Sequence, residues 1–248
     1  MIFDSHIHLE GDVFEKNVVG FDNYNLDITG GNLIVNFLEL FELYRDTINN
    51  SSKRYSLTCI FDFRSEDNIS IFLDRVDRGE IQGAKIHSKI QQISTHDYDT
   101  ISDIISIIPD RIPIIIDGWY DWCDLSIQPS LEHNIKLALR YPHKKFVIAH
   151  AGGSKILDYF MHTRKIGNMY YDLSLTLGYF KGSSIWKDVK HFLRYMPSNK
   201  IMFGSDYPYS NEITQFDRLN KICKKIKLND SEVSNICYNT AKYVYNIF

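Results

Sequence analysis

Short β-branched runs alternate with longer stretches of helical periodicity along almost the whole chain. This alternation is the tightest constraint on the fold, because a strand, a crossover helix and a further strand form the repeating unit of a parallel sheet. Strands are expected at Ile2–His8, weakly at Val18–Asn25, then at Ser56–Phe63, Gly83–His87, Ile112–Asp117, Phe146–His150, Met169–Ser174 and Lys200–Ser205. Several are apolar at consecutive positions, as in strands covered on both faces. Between them, Leu33, Ile34, Phe37, Leu38 and Phe41 repeat at helical spacing, as do Ile101, Ile104, Ile105 and Ile108, where Pro109 ends the stripe. Further helices are expected at Asp67–Val76, at Leu131–Arg140 behind the N-cap Ser130, over Ile213–Ile226, and as a pair across Ser231–Asn246. Eight strands with intervening helices predict a closed (β/α)8 TIM barrel, an α/β fold in a single domain over residues 1–248. The competing open doubly wound sheet needs only five or six strands. A length of 248 residues suits one barrel.

Reactive side chains gather at the C-terminal ends of these strands: His6 and His8, Lys85 and His87, Asp117, His150, Asp172 and Asp206. In a barrel those ends face one mouth, so groups far apart in sequence converge. His6-Ile7-His8 is the sharpest local signal. Residues two apart on a strand point to one side, which lets both imidazoles reach one metal ion. His150 follows the apolar run Phe146–Ala149 and precedes Gly152-Gly153, a turn into a helix. Asp206 follows an apolar strand and a small-residue turn, and a carboxylate there serves as ligand and as proton acceptor for a metal-activated water. His96, His133, His143, His162 and His191 fall in expected loops or helices and are read as surface residues.

Composition narrows the partners. Lys and Arg number 28 against 31 Asp and Glu, a net charge of −3, which argues against nucleic-acid binding through a basic surface but not against a local basic cleft. The longest apolar runs, such as Ile112–Ile116, are far too short to span a membrane. The first residues show no basic region followed by an apolar segment, and the four cysteines have no C-x-x-C spacing, so the expectation is a cytoplasmic protein with reduced thiols.

Four segments together carry a family resemblance: Asp4-Ser5-His6-Ile7-His8, Gly83-Ala84-Lys85-Ile86-His87, Val147-Ile148-Ala149-His150-Ala151-Gly152-Gly153 and Gly204-Ser205-Asp206-Tyr207-Pro208. In this order, with Asn239-Thr240-Ala241-Lys242 near the end, they resemble the amidohydrolase superfamily, in particular its amidohydrolase-related branch of metal-dependent TIM-barrel hydrolases, lactonases and decarboxylases. The resemblance implies one divalent metal ion held by His6, His8, His150 and Asp206, zinc first with manganese or iron as alternatives. It implies that Asp206 also takes the proton of the attacking water, and that such barrels self-associate as homo-oligomers. One position departs from the pattern. Where the family often carries a metal-binding histidine after strand five, this chain has Asp117. Three readings stand: an oxygen ligand that favours harder metals such as manganese, a substrate-binding or His150-orienting group, or the mark of a degenerate site. Lysine on strand four bridges two metals in some amidohydrolases when carbamylated, but Gly83-x-Lys85-x-His87 looks more like the one-metal branch. There Lys85 and His87 share a strand face and suit a substrate carboxylate or carbonyl. Asp172, in Tyr170-Tyr171-Asp172-Leu173-Ser174, reads more simply as an anchor of the barrel rim.

Aromatic side chains crowd the expected loops above the site: Phe14, Phe21 and Tyr24 in the first, Trp119, Tyr120 and Trp122 in the fifth, Tyr179 and Phe180 in the seventh, Tyr207 and Tyr209 in the eighth. They fit a small organic substrate with a planar part, bound through Lys85, His87, Trp119, Tyr120, Trp122 and Tyr207. The leading expectation is a metal-dependent hydrolase of a small amide, lactone or ester, with Asp206, Lys85 and His87 as catalytic groups. The alternatives are a decarboxylase or hydratase of the same branch and a degenerate barrel that only binds a ligand. A TatD-like nuclease also begins with H-x-H, but its Gly-Glu-x-Gly-Leu-Asp segment is missing here.

Overall fold

The computed structural model describes residues 1–9, 20–21, 24–120 and 130–247. Eight parallel strands follow one another in chain order around a single sheet: β1 (Phe3–Ile7), β2 (Gly30–Val35), β3 (Arg54–Ile60), β4 (Gly83–Ile86), β5 (Ile114–Ile116), β6 (Phe146–Ile148), β7 (Met169–Asp172) and β8 (Ile201–Met202). The chain beyond β8 returns to β1: the Ser5 N–H donates to the Phe203 carbonyl at 2.9 Å, Asp206 N–H to His6 carbonyl at 2.9 Å, and His8 N–H to Tyr207 carbonyl at 2.7 Å. The result is a single-domain (β/α)8 barrel. Its helices are α1 (Phe41–Asn49), α2 (Glu66–Asp77), α3 (Tyr98–Ile107), α4 (Leu131–Arg140), α5 (Ile156–Thr163), α6 (Thr176–Tyr179), α7 (Ile185–Tyr195), α8 (Glu212–Ile226), α9 (Asp230–Ser234) and α10 (Thr240–Val244).

The second strand is not where the sequence placed it. Of Val18–Asn25, residues 18, 19, 22 and 23 lie outside the described residues, and Gly20-Phe21 form a turn. The strand is Gly30–Val35, in parallel register with Arg54–Cys59. Leu33 and Ile34 therefore belong to a strand rather than to a helical stripe, which starts only at Leu38 in a short 3-10 turn leading into α1. The cause is burial. All six residues of β2 are buried, so the strand lacks polar alternation and its apolar run merges with that of the following helix. The helices α5, α6 and α7 also form where no stripe was singled out.

Side-chain alternation sorts the strands into two layers. Ile114, Ile116, Phe146, Ile148, Met169, Tyr171 and Ile201 point outward into the core shared with the helices. Ile115, Val147, Tyr170 and Met202 point into the barrel, where Phe3 and the α10 residues Ala241 and Val244, with Tyr245, close its lower end. On β4, Ala84 and Ile86 lie in the outer layer, so Lys85 between them points inward. Asp117 and Asp172 share the inward parity of Ile115 and Tyr170. Apolar side chains thus fill the bottom of the barrel and polar ones its top.

Candidate metal centre

The top of the barrel is built around His6. Its Nδ1–H donates to Asp172 Oδ2 at 3.1 Å. Asp172 ends β7, is fully buried, and also accepts the backbone N–H of His150 at 3.1 Å, the backbone N–H of Ser174 at 3.0 Å, and the Ser174 hydroxyl. Burial alone would raise its pKa, but the imidazoles of His6 and His150 and these donors hold the carboxyl well below the usual carboxylate range. Asp172 is therefore an ionised acceptor, and it fixes His6 in the tautomer with its proton on Nδ1.

The Nε2 atom left to His6 is 3.2 Å from His8 Nε2, 3.4 Å from Asp206 Oδ1 and 3.2 Å from Lys85 Nζ. His8 Nε2 is 3.8 Å from the same Asp206 oxygen. Among the described residues, His6, His8 and Asp206 form one group of possible ligands whose atoms all lie within 4.8 Å of one another. Ligands about 2.1 Å from a tetrahedral ion stand roughly 3.4 Å apart, so this spacing fits a divalent metal. Protonation agrees. Burial, reinforced by the Lys85 ammonium, lowers the basicity of both His6 and His8, so both rings are neutral, as ligation requires. Lys85 is 1% exposed, a buried cation directed at this group.

His150 and Asp117 stand beside it. The His150 ring centroid is 5.0 Å from that of His6. Its Nδ1–H donates to the Ser174 carbonyl at 3.1 Å, and its Nε2 faces Asp117 Oδ1 at 3.5 Å. The other Asp117 oxygen is 3.6 Å from His87 Nδ1. Burial, opposed by the Asp117 carboxylate, pulls His87 down to about 3. Asp117 thus lies between two imidazoles, as a neighbour of the compact His6, His8 and Asp206 group rather than a part of it.

Strained backbone marks the same residues. His150 has φ 57°, Ala151 49°, and Asp206 65°, all in the left-handed region that side chains with a Cβ seldom adopt. Gly152, at φ 82°, continues the His150 turn where a Cβ would stand 2.1 Å from the Tyr159 ring. Of the expected aromatic walls, Trp119 packs its edge against His150 at 5.5 Å and against Tyr179 at 4.8 Å. Tyr209 meets His8 at 5.3 Å, while Tyr207 is buried against Tyr24. Tyr120 is half-buried beside Trp119, and Trp122 lies outside the described residues. On the β2–β4 side of the barrel top, a cavity of about 430 Å³ is lined by Asn36, Phe61, Asp62, Arg64 and Gln91, among others.

Sequence reasoning undervalued Asp172 and Asp4. Asp172, read as a rim anchor, orients His6 directly. Asp4 accepts from Ser205 N–H at 2.8 Å and from the Tyr24 hydroxyl at 2.9 Å, tying the first loop to the strand-eight turn, and burial pushes its carboxyl up to about 7. The available signal was parity: Asp172 has the inward phase of Tyr170, and Asp4 stands two residues before His6. His133, read as a surface residue, is half-buried and stacked on Tyr98 at 3.9 Å.

The amidohydrolase family profile matches residues 109–247, more than half of the chain. No curated protein sequence matches. Among solved structures, the chain is similar to 2,6-dihydroxybenzoate decarboxylase complexed with 2,6-dihydroxybenzoate, at 10% identity and a TM-score of 0.61 over 99% of this chain and 98% of that one. It is similar to 5-carboxyvanillate decarboxylase from Novosphingobium aromaticivorans, solved with bound manganese, at 12% identity and a TM-score of 0.61 over 95% and 82%. It is also similar to the inactive dihydroorotase-like domain of a multifunctional protein from Chaetomium thermophilum, at 10% identity and a TM-score of 0.68 over 100% and 79%. At these identities the similarity is one of fold. No helix among the described residues is long and apolar enough to cross a membrane.

Proposed function

Because the chain belongs to the amidohydrolase family, we propose that it is a metal-dependent hydrolase of a small-molecule amide, lactone or ester. The observation that carries this reading is the spacing of His6 Nε2, His8 Nε2 and Asp206 Oδ1, with the His6 tautomer held by Asp172. His6, His8 and Asp206 would hold the ion, with His150 as the nearest further imidazole and Asp117 behind it. A divalent ion there supplies Lewis acidity and an acidified water. Asp206 accepts the proton of the attacking water on its carboxylate and delivers it to the leaving group. Lys85, pointing up from β4, presents its ammonium to the oxygen on which negative charge develops. His87, kept neutral by burial, is a hydrogen-bonding partner for substrate rather than a fixed cation. Trp119 forms an apolar wall beside His150 and keeps water from that flank. Zinc suits the nitrogen ligands, and manganese becomes the better fit if Asp117 adds a second carboxylate.

One observation favours a second reading. The buried Lys85 ammonium suits a substrate carboxylate, and two of the similar folds are decarboxylases of aromatic acids. Metal analysis of the purified protein, followed by assays on lactones, esters, amides and hydroxybenzoates, separates the readings. The hydrolase expectation is about one equivalent of metal, hydrolysis of at least one ester or lactone, and a loss of 10²-fold or more in Asp206→Asn. Release of CO2 from an aromatic acid without any hydrolysis establishes the second reading. A chain that binds no metal even after reconstitution removes both and leaves a ligand-binding barrel.

A further inference from the structure

Away from the barrel mouth, a groove of about 380 Å³ runs between the outer faces of α7 and α8. Five cations line it: Lys181 from the turn after α6, Lys190 on α7, and Arg218, Lys221 and Lys225 on α8. One carboxylate, Asp217, shares the lining. The concentration is unusual for a chain of net charge −3. Several cations elsewhere on the surface are paired: Arg45 with Glu42, Arg75 with Glu42 and Glu80, Arg78 with Asp74, Lys136 with Glu132, and Lys155 with Asp158. None of the five groove cations stands within 4.0 Å of a carboxylate among the described residues. Positions 218, 221 and 225 follow one another at i+3 and i+4, so like charges stack on one helical face, an arrangement that repels itself unless an anion lies across it.

Two further features make the groove specific. Arg218 is half-buried, and its Nη1 donates to the carbonyls of Leu177 at 3.3 Å and Gly178 at 3.0 Å. The guanidinium is anchored on one side, with Nη2 and Nε left for a planar, two-pronged anion contact. Opposite it, Trp186 lies one turn before Lys190, half-buried in the wall of the groove. The stretch from Arg218 to Lys225 spans roughly 10 Å along the helix, room for more than one anionic group.

We propose that this groove binds a small organic polyphosphate, with the phosphates on Arg218, Lys190 and Lys221 and the organic part against Trp186. The site is independent of the metal centre and of the reaction assigned to it. Isothermal titration of the full chain with ATP, inorganic tripolyphosphate and sulfate tests it. Expected are saturable binding of ATP and tripolyphosphate and a several-fold weakening between 50 and 200 mM salt, on the order of that seen for multi-phosphate contacts. A charge-reversed Lys190→Glu/Lys221→Glu variant should lose at least tenfold in affinity while keeping the wild-type melting temperature. Trp186→Phe should weaken ATP more than tripolyphosphate, since the latter has no group to stack. Three results would overturn the proposal. These are affinities weaker than about 1 mM for both phosphates in the wild type, binding that survives the charge reversal and so lies at the barrel mouth, or sulfate matching ATP, which would mean an adventitious ion only.

Discussion

Asp172→Asn is the substitution that most directly probes how the barrel top is organised. The wild-type carboxylate is an acceptor for every group around it: His6 Nδ1–H, the backbone N–H groups of His150 and Ser174, and the Ser174 hydroxyl. An asparagine keeps one oxygen. With two backbone donors and a hydroxyl on the Oδ1 side, that oxygen stays there, and the new NH2 faces His6 Nδ1. Two donors then oppose each other across 3.1 Å. The ring relieves this by moving its proton to Nε2, the atom directed at His8 and Asp206, which closes it as a ligand. Loss of such a supporting partner typically costs 10–100-fold in metal affinity, or about 1.4–2.7 kcal/mol. Chelator competition with zinc measures it, and ¹⁵N spectra of the His6 ring read the tautomer without any turnover. The fold should persist, because the shape is unchanged and three of the four donors keep an acceptor. If Asp172→Asn binds zinc as tightly as wild type with His6 still protonated on Nδ1, the assignment of Asp172 as its positioning residue is wrong.

The remaining predictions use other parts of the chain. Burial lowers His133 to about 4, below its unfolded value of 6.5. The unfolded chain therefore takes up more protons between these values, and stability present above pH 6.5 is lost as pH falls toward 4. His133→Phe, which keeps a ring against Tyr98, should flatten that part of the melting-temperature profile, and an unchanged slope refutes the contribution. Gly152→Ala places a Cβ 2.1 Å from the buried Tyr159 ring at a φ of 82°, and should cost about 3 kcal/mol or more, a fall of roughly 6–12 °C by calorimetry. Lys85→Met should retain the metal yet lower kcat by roughly 10²-fold, the size of a lost oxyanion donor; a variant with full kcat removes Lys85 from the chemistry.

Legibility in the sequence followed burial. Strands β1 and β3–β8 were readable because each apolar run is bounded by turn residues, and the polar residues just beyond them announced the mouth. Strand β2 was not, since Leu33, Ile34 and Val35 are buried on both faces and only Asn36 separates them from the largely apolar Phe37–Phe41 stretch. The convergence of His6, His8 and Asp206 could be inferred because their strands are neighbours once the barrel closes. What could not be read was which polar residue braces which. Asp172 and Asp117 look alike as carboxylates at strand ends. They differ only in three dimensions, where one collects backbone and imidazole N–H groups and the other stands between two imidazoles at 3.5 and 3.6 Å.

That difference bears on the departure at strand five. If Asp117 carried the architecture of the site, an aspartate in place of the imidazole would be expected to disturb its neighbours. Instead the His6, His8 and Asp206 cluster forms without it, held by Asp172 from β7 and by the closure contacts between β1 and the β8 turn. His150, too, takes its orientation from Ser174 and Asp172 on the β7 side, through both its ring and its backbone N–H. Among the described residues, the hydrogen bonds that fix His6 Nδ1 and the His150 ring Nδ1 and backbone N–H come from the end of β7, while Asp117 after β5 faces only the far nitrogen of His150, at 3.5 Å. A change of residue type at position 117 alters the charge beside His150 and His87 while leaving the supports of the three-residue cluster in place. On the proposed metal-dependent function, this is the physical reason to assign Asp117 to metal preference or substrate contact: the three-residue cluster does not depend on it for its shape.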